Sequence, residues 1–255
     1  MFDQILTDAS RRAEEAGSQR AELETLAGLA PPPRGFAAAL SGPGRSLVAE
    51  VKRRSPSRGP LAPGLDATRQ AKRYEAAGAA AVSVLTDPDH FDGSLDDLIE
   101  VSAAVDLPVL RKDFLLDPAQ VWESRAAGAD AVLLIVAVLG REALAGMLEA
   151  ASAAGIDALV EIHDAGEAHV AFDSGATLIG VNNRDLETFE TDLEVADRLA
   201  PLVEDAGVVS VAESGVSDSE GASRMWQLGY DAILVGEALV TAEEPEELIR
   251  MLVGG

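Results

Sequence analysis

Eight short apolar segments recur along the chain, and the stretches between them carry apolar residues at helical spacing. The candidate strands are residues 47–52, 81–86, 109–114, 131–138, 158–163, 178–183, 208–213 and 232–237. Strands that are apolar throughout and joined by helices are typical of a parallel sheet covered on both faces. Eight such strand–helix units in about 210 residues favour a closed (β/α)8 TIM barrel over an open, doubly wound sheet.

A glycine ends the helical stretch before six of the eight strands, which is a weak internal repeat. These glycines are Gly78, Gly128, Gly155, Gly175, Gly207 and Gly229. Just past a helix, glycine adopts the left-handed conformation at little steric cost, so each one marks a helix-to-strand joint. The G-x-G-x-x-G pattern of dinucleotide-binding sheets does not follow the first strand, which weakens that alternative.

The first 30 residues carry apolar side chains at helical spacing, and the prolines at 31–33 end the pattern. We expect two helices here, ahead of the barrel. A chain of 255 residues, 47% of them hydrophobic, suits one large core. We therefore expect a single domain over residues 1–255, in which residues 1–45 form an N-terminal helical extension.

The charge of the chain argues against several classes of partner. Acidic residues outnumber basic ones 44 to 20, giving a formal net charge of −24, and such a field repels nucleic acid and anionic membranes. The longest apolar run, residues 131–139, is too short to span a bilayer, and the charged N-terminus lacks a signal-peptide core. With no cysteine in the chain, we expect a soluble cytoplasmic protein. The acidic excess leads to the hypothesis that this cytoplasm is salty.

Ionisable residues concentrate at the C-terminal ends of the predicted strands, where barrels carry their chemistry. These residues are Glu50 and Lys52 on the first strand, Lys112 on the third, Glu161 on the fifth, Asn182 and Arg184 at the sixth, and Glu213 and Ser214 at the seventh. The chain has three lysines against seventeen arginines, and lysine, unlike arginine, can release its proton near neutral pH. Because Lys52 and Lys112 both lie at strand ends, we predict a proton-transfer site there.

The loops after three strands indicate a pocket for an anion. Gly215 and Gly236 follow the seventh and eighth strands, where barrels often build a phosphate site from exposed backbone N–H groups. The loop after the first strand, residues 53–59, is basic on a strongly acidic chain. Its arginines at positions 53, 54 and 58, taken singly, are expected to be solvated; the alternative is that, together with Lys52, they supply the local positive charge that an anion needs.

Aromatic and histidine side chains give weaker signals. Phe91 and Phe114 are placed either to wall an aromatic substrate or to pack within their loops. His90, His163 and His169 show no metal-ligand spacing and are expected to be structural.

Several stretches together resemble the indole-3-glycerol phosphate synthase family of tryptophan biosynthesis. They cover nearly the whole chain and are AEVKRRSPSRG (49–59), VLTDPDHFDGSLDDL (84–98), PVLRKDFLLD (108–117), ADAVLLIVAVL (129–139), LVEIH (159–163), IGVNNRDL (179–186), VAESGV (211–216) and AILVGEAL (232–239). The resemblance implies conversion of 1-(2-carboxyphenylamino)-1-deoxyribulose 5-phosphate to indole-3-glycerol phosphate, CO2 and water, with no cofactor and no metal. One departure is Ala238, where family members often have a serine.

The resemblance also implies roles for the site residues. Lys112 matches the acid that protonates the alkoxide during ring closure, and Glu161 matches the base of the dehydration. Lys52 matches either an anion contact or a dehydration acid. The further implied residues are Glu50 and Glu213, which position the lysines; Asn182, Arg184 and Ser214, which orient substrate oxygens; Ser55, Gly215 and Gly236 near the phosphate; and Phe91, Phe114, Leu186 and Glu237 as other substrate contacts.

Two other interpretations stay open from the residues alone. In a class I aldolase-like barrel, Lys112 would form a Schiff base with a ketose phosphate. The other alternative is an inactive phosphosugar-binding or scaffold subunit, which is disfavoured because a binding module needs neither Lys112 nor Glu161.

Overall fold

The computed structural model describes residues 1–42 and 44–254, and its centre is a closed barrel of eight parallel strands. In chain order the strands are β1 (Ser46–Val51), β2 (Ala81–Leu85), β3 (Val109–Lys112), β4 (Ala131–Ile135), β5 (Asp157–Ile162), β6 (Leu178–Asn182), β7 (Val209–Glu213) and β8 (Ala232–Val235). Each strand pairs with its neighbours in sequence, and β1 closes the barrel by pairing with β8. The predicted (β/α)8 barrel is confirmed.

Helices surround this barrel and also precede it. They are α1 (Phe2–Ser18), α2 (Arg20–Ala27), α3 (Phe36–Leu40), α4 (Ala67–Ala77), α5 (Leu95–Ala104), α6 (Pro118–Ala126), α7 (Val136–Ala154), α8 (Ala165–Asp173), α9 (Glu194–Ala206), α10 (Ser219–Gln227), α11 (Glu237–Thr241) and α12 (Pro245–Gly254). Five of them begin at an aspartate or serine whose side chain accepts a hydrogen bond from a backbone N–H of the first turn. All six glycines predicted to end helices have positive φ, so the expected joints are confirmed.

The interior of the barrel is a packed core, and α3 closes its N-terminal end. Phe36 and Leu40 of α3 are fully buried against the first residues of several strands, including Ala81 and Ala131. Burying each of these two large side chains stabilises the fold by about 1.5–3 kcal/mol. This short helix was not predicted, because five residues are too few to show helical periodicity.

The two predicted N-terminal helices are present and are tied to the barrel. Arg12 of α1 pairs with Asp87 at 2.8 Å and with Asp113 at 3.1 Å, in the segments that follow β2 and β3. Leu23 of α2 packs against Ala119 of α6. A buried carboxylate left without its cation costs about 3–5 kcal/mol, so the Arg12 pairs fix α1 next to the C-terminal rim of the barrel.

Three strands end at least two residues earlier than predicted. The structure ends β3 at Lys112, β4 at Ile135 and β8 at Val235. In the case of β4, the apolar run continues without a break into α7, which begins at Val136 and is buried there, so hydropathy alone did not mark the boundary. Among the described residues, no helix combines the length and the apolar character needed to cross a membrane.

Candidate active site

Lys112 is the last residue of β3, and its side chain lies between carboxylates from two other strands. Its Nζ is 3.1 Å from Oε2 of Glu213 on β7 and 3.4 Å from Oε2 of Glu161 on β5. Both glutamate side chains are only 1% exposed. Closure of the barrel brings these three strand ends to one rim, which explains how residues far apart in sequence form one cluster.

The three groups have strongly perturbed protonation. Burial opposes a charge on Lys112, but the carboxylates of Glu213, Glu161 and Glu50 outweigh it and raise the pKa of the lysine. Burial also opposes ionisation of Glu161, yet Lys112 and His163 lower its pKa to about 2. Burial, reinforced by the charge of Glu161, raises the pKa of Glu213 to about 7. Near neutral pH the cluster therefore holds an ammonium group beside one firmly ionised carboxylate.

Lys52 and Glu50 form a second ion pair on the same rim. Lys52 lies one residue beyond β1 and contacts the Glu50 carboxylate, which is almost fully buried. Glu50 also acts on Lys112 through its charge. The two lysines thus belong to one acidic cluster, as their positions at strand ends predicted.

Glycines on neighbouring strands leave room for these carboxylates. A methyl group at Gly180 of β6 would overlap the Glu213 carboxylate, and one at Gly236 would overlap the Glu50 carboxylate. Neither position requires an unusual backbone conformation. Close approach of a side chain is therefore the reason for glycine at both positions.

Two adjoining cavities open at the rim. The first has an apolar wall formed by Leu85, Phe91, Phe114, Leu133, Ile135, Leu186 and Phe189. Phe2 of α1 holds Phe114 by an edge-on contact, with ring centroids 6.2 Å apart and an interplanar angle of 63°. This combination of apolar wall and ionisable groups suits an aromatic ligand that undergoes proton transfer.

The second cavity is built from the loops after β7 and β8. Its lining includes Ser214, Gly215, Gly236 and Ala238. Ser214 has a φ of 64°, which is uncommon for a residue other than glycine and is found preferentially at functional sites. With small residues exposing backbone here, the cavity suits an anion such as phosphate.

Two arginines bring positive charge to the second cavity. Arg58 and Arg184 both line it, and both lie near Glu237, with Nε of Arg58 2.8 Å and Nη2 of Arg184 3.9 Å from its carboxylate. Arg53, by contrast, lies outside both cavities and pairs with Asp97 through two bonds of 2.7 Å. The expectation that Arg53 is solvated was wrong, because its partner lies in α5 and is not apparent from local sequence.

Every site residue predicted from the sequence lines at least one cavity. The first is lined by Ser55, Phe91, Phe114, Glu161, Asn182 and Leu186; the second by Glu213, Gly215 and Gly236; and both by Glu50, Lys52, Lys112, Arg184, Ser214 and Glu237. The residues predicted from the sequence therefore lie around the two cavities.

His163 contacts Glu161 although it is not among the site residues predicted from the sequence. Its Nε2 lies 3.4 Å from Glu161 Oε1, and its Nδ1 lies 3.0 Å from Glu167 Oε2. The sequence predicts a structural role for it, because the histidines show no metal-ligand spacing. The available signal was its position two residues after Glu161, on the same side of an extended segment.

The fold and the site define a class: a (β/α)8 barrel whose C-terminal rim joins a cluster of buried ionisable groups to a cavity suited to a phosphate. A solved thiamine phosphate pyrophosphorylase from Pyrococcus furiosus shares the barrel, with a TM-score of 0.59, 19% identity and coverage of 86% of this chain and 95% of that one. At this identity the likeness concerns the fold alone.

Sequence comparison identifies the family. The family model described as indole-3-glycerol phosphate synthase matches residues 2–252. Proteins named indole-3-glycerol phosphate synthase from Parafrankia sp. (strain EAN1pec) and Mycobacteroides abscessus are 49% and 46% identical over 253 residues, which is 99% of this chain and 93% and 92% of theirs. Indole-3-glycerol phosphate synthase 2 of Streptomyces coelicolor is 49% identical over 92% of this chain and 90% of its own. The chain belongs to the indole-3-glycerol phosphate synthase family, the decarboxylating lyases of tryptophan biosynthesis.

Proposed function

We propose that the two cavities bind opposite ends of 1-(2-carboxyphenylamino)-1-deoxyribulose 5-phosphate. The anthranilate ring lies against the apolar wall of the first cavity, and the phosphate lies in the second. The observation that carries this proposal is the position of Lys112, which lines both cavities between Glu161 and Glu213. The ribulose carbons that link ring and phosphate then pass beside the acid–base cluster.

Ring closure uses Lys112 as the acid. The ring carbon that bears the carboxylate attacks the ketone, and the developing alkoxide takes a proton from the ammonium group. Because neighbouring carboxylates keep Lys112 protonated, the donor is ready when the substrate binds; a positioned acid contributes about 10²–10⁴-fold in rate. CO2 then departs, and the electron pair of the broken bond restores the aromatic ring.

Dehydration uses Glu161 as the base. The hydroxyl leaves as water with a proton from Lys52 or Lys112, while Glu161 removes a proton from the adjacent carbon. The lowered pKa of Glu161 keeps it ionised for this step. Two protons are donated and one is recovered, so each turnover takes up one proton from solvent, which balances the substrate carboxylate lost as neutral CO2.

The other residues hold the substrate and the lysines in place. Glu50 and Glu213 position the two lysines, and the lining of the cavities supports substrate contacts for Ser55, Phe91, Phe114, Asn182, Arg184, Leu186, Ser214, Gly215, Gly236 and Glu237. Arg58 is an addition to this set, because it lines the second cavity beside Arg184. On a molecule with a net charge of −24, a local pair of guanidinium groups is needed to attract a phosphate.

The aldolase-like alternative is disfavoured by the charge state of Lys112. Schiff-base formation requires a neutral amine, whereas Glu213, Glu161 and Glu50 raise the pKa of this one. The scaffold alternative gives no reason to bury two glutamates around a lysine, since burying charges is costly.

We also infer the setting in which the enzyme works. The acidic, cysteine-free composition supports a cytoplasmic enzyme without nucleic-acid or membrane partners. The ties between α1, α2 and the barrel support treating residues 1–255 as one domain with residues 1–45 as an extension.

Replacement of Lys112 tests the proposal directly. We expect Lys112→Ala to lose about 10²–10⁴-fold in turnover, measured by the fluorescence of the indole product, while still binding that product. Lys72→Ala is the matched control, because Lys72 is exposed on α4 and lines neither cavity. Normal turnover in the Lys112 variant would reject the assignment.

A further inference from the structure

His163 directly follows β5 and lines neither cavity, yet its imidazole contacts the proposed base. Nε2 of His163 lies 3.4 Å from Glu161 Oε1, while Glu161 Oε2 lies 3.4 Å from Lys112 Nζ. The two oxygens of one buried carboxylate therefore contact two different nitrogen groups, and of these two groups only Lys112 lines the cavity.

Glu167 fixes the imidazole from the other side. Its Oε2 is 3.0 Å from His163 Nδ1 and also accepts a 2.8 Å hydrogen bond from the His163 backbone N–H. Glu167 lies in the first turn of α8, where its own N–H is held by Asp164 at 2.9 Å. Because a carboxylate only accepts hydrogen bonds, the ring must carry a proton on Nδ1.

The remaining ring nitrogen then decides the charge of His163. Within the described part of the chain, Nε2 of His163 and Oε1 of Glu161 are buried atoms without a hydrogen-bond partner, and they face each other at 3.4 Å. A neutral ring would direct a lone pair at the carboxylate, whereas an imidazolium donates N–H to it. Burial opposes this charge, but bonds to Glu161 and Glu167 raise the pKa of His163 to about 10, and Asp185 after β6 adds a further attraction.

We propose that His163, as an imidazolium held by Glu167, is a positioning residue that keeps Glu161 ionised and turns its second oxygen toward Lys112 and the cavity. This proposal rests on the role of Glu161 as the base. Lys112 alone cannot do the task, because it becomes neutral when it gives its proton to the substrate. A buried carboxylate without a cation would then favour its protonated form, which cannot act as a base.

The pH dependence of turnover follows from these charges. Removing His163 takes a positive charge away from Glu161, so the pKa of Glu161 rises and the acid limb of the kcat profile moves to higher pH. Replacing Glu167 by Gln removes the negative charge that holds the imidazolium, so the pKa of His163 falls. Turnover on the alkaline side is then lost at lower pH.

The experiment measures kcat and KM from pH 5 to 10 for His163→Leu, His163→Gln and Glu167→Gln. For His163→Leu we expect kcat to fall at least about 10-fold, as part of the 10²–10⁴ of a general base, with KM nearly unchanged. The acid limb lies below pH 5 in the wild type, because the pKa of Glu161 is about 2, and we expect it to move up into the measured range in this variant. His163→Gln, which keeps an N–H donor without the charge, should recover part of kcat at the optimum but keep the raised acid limb. His169→Leu is the control, because His169 is exposed on α8.

Thermal unfolding of each variant and a parallel Glu161→Gln variant separate the outcomes. A wild-type kcat and pH profile in a folded His163→Leu variant overturns the proposal. So does a loss of kcat that leaves the acid limb in place and is not recovered by His163→Gln, since this is the signature of a merely structural role. Wild-type turnover in Glu161→Gln would instead overturn the proposed function, and the present inference with it.

Discussion

At the scale of single residues, the site depends on two glutamates whose environments separate their pKa values. Both side chains are buried next to Lys112, but Glu161 also contacts His163, and its pKa is lowered to about 2, while that of Glu213 is raised to about 7. Such a separation assigns different roles to chemically identical groups. It supports Glu161 as the base and Glu213 as the group that positions Lys112.

Site residues were predictable from the sequence where ionisable side chains occupy the ends of apolar strands. Lys112 and Glu161 were found from the sequence because charged residues at the ends of apolar strands are costly unless they serve a site. The pairing of Arg53 with Asp97 was not predictable, since it depends on how a loop folds against α5. The contact between His163 and Glu161 was not predicted, although the two residues are two positions apart at the end of a strand.

At the scale of elements, the barrel strands contribute ionisable side chains to the site, and a glycine on one strand leaves space for a side chain of its neighbour. Gly180 of β6 pairs in register with Glu161 of β5, and it leaves the space that the Glu213 carboxylate occupies. A side chain at this position would push that carboxylate away from Lys112, which is 3.1 Å from it.

We predict that Gly180→Ala lowers kcat by about 10- to 100-fold, because a misplacement of about 1 Å in a catalytic group has effects of this size. KM should change little, since Gly180 lines neither cavity. Gly146→Ala on α7 is the matched control, because a methyl group there meets no atom within 4 Å, and it should leave kcat unchanged. Steady-state kinetics check both variants; a wild-type kcat in Gly180→Ala would contradict the account.

Strands and helix ends were predictable from the sequence where an apolar run is bounded by a glycine. The eight strands and the helix-to-strand joints followed from apolar runs bounded by glycine, and both were confirmed. Helix α3 was not predicted, because its five residues show no helical periodicity of their own. It is stabilised by packing on the end of the barrel that it covers. The boundary between β4 and α7 was misplaced for a related reason, since both sides of it are buried.

At the scale of the whole molecule, the chain carries 44 acidic residues and 20 basic ones. The excess negative charges repel one another in the folded state. Salt weakens this repulsion, because the Debye length falls from about 10 Å at 0.1 M to about 3 Å at 1 M. We predict that the Tm is higher in 1 M KCl than in low-salt buffer and that the protein loses structure on dilution from molar salt. Circular dichroism during heating measures this; full stability in low salt would remove the hypothesis of a salty cytoplasm.

In the proposed reaction, Lys112 gives and Glu161 takes a proton at successive steps in one cavity. A single-turnover experiment with Glu161→Gln, in which CO2 release and indole formation are followed together, tests this sequence of steps. We expect CO2 to be released while indole formation slows by about 10²–10⁴-fold, so that the cyclised, decarboxylated intermediate accumulates. Indole formation at the wild-type rate, with no intermediate, would contradict it.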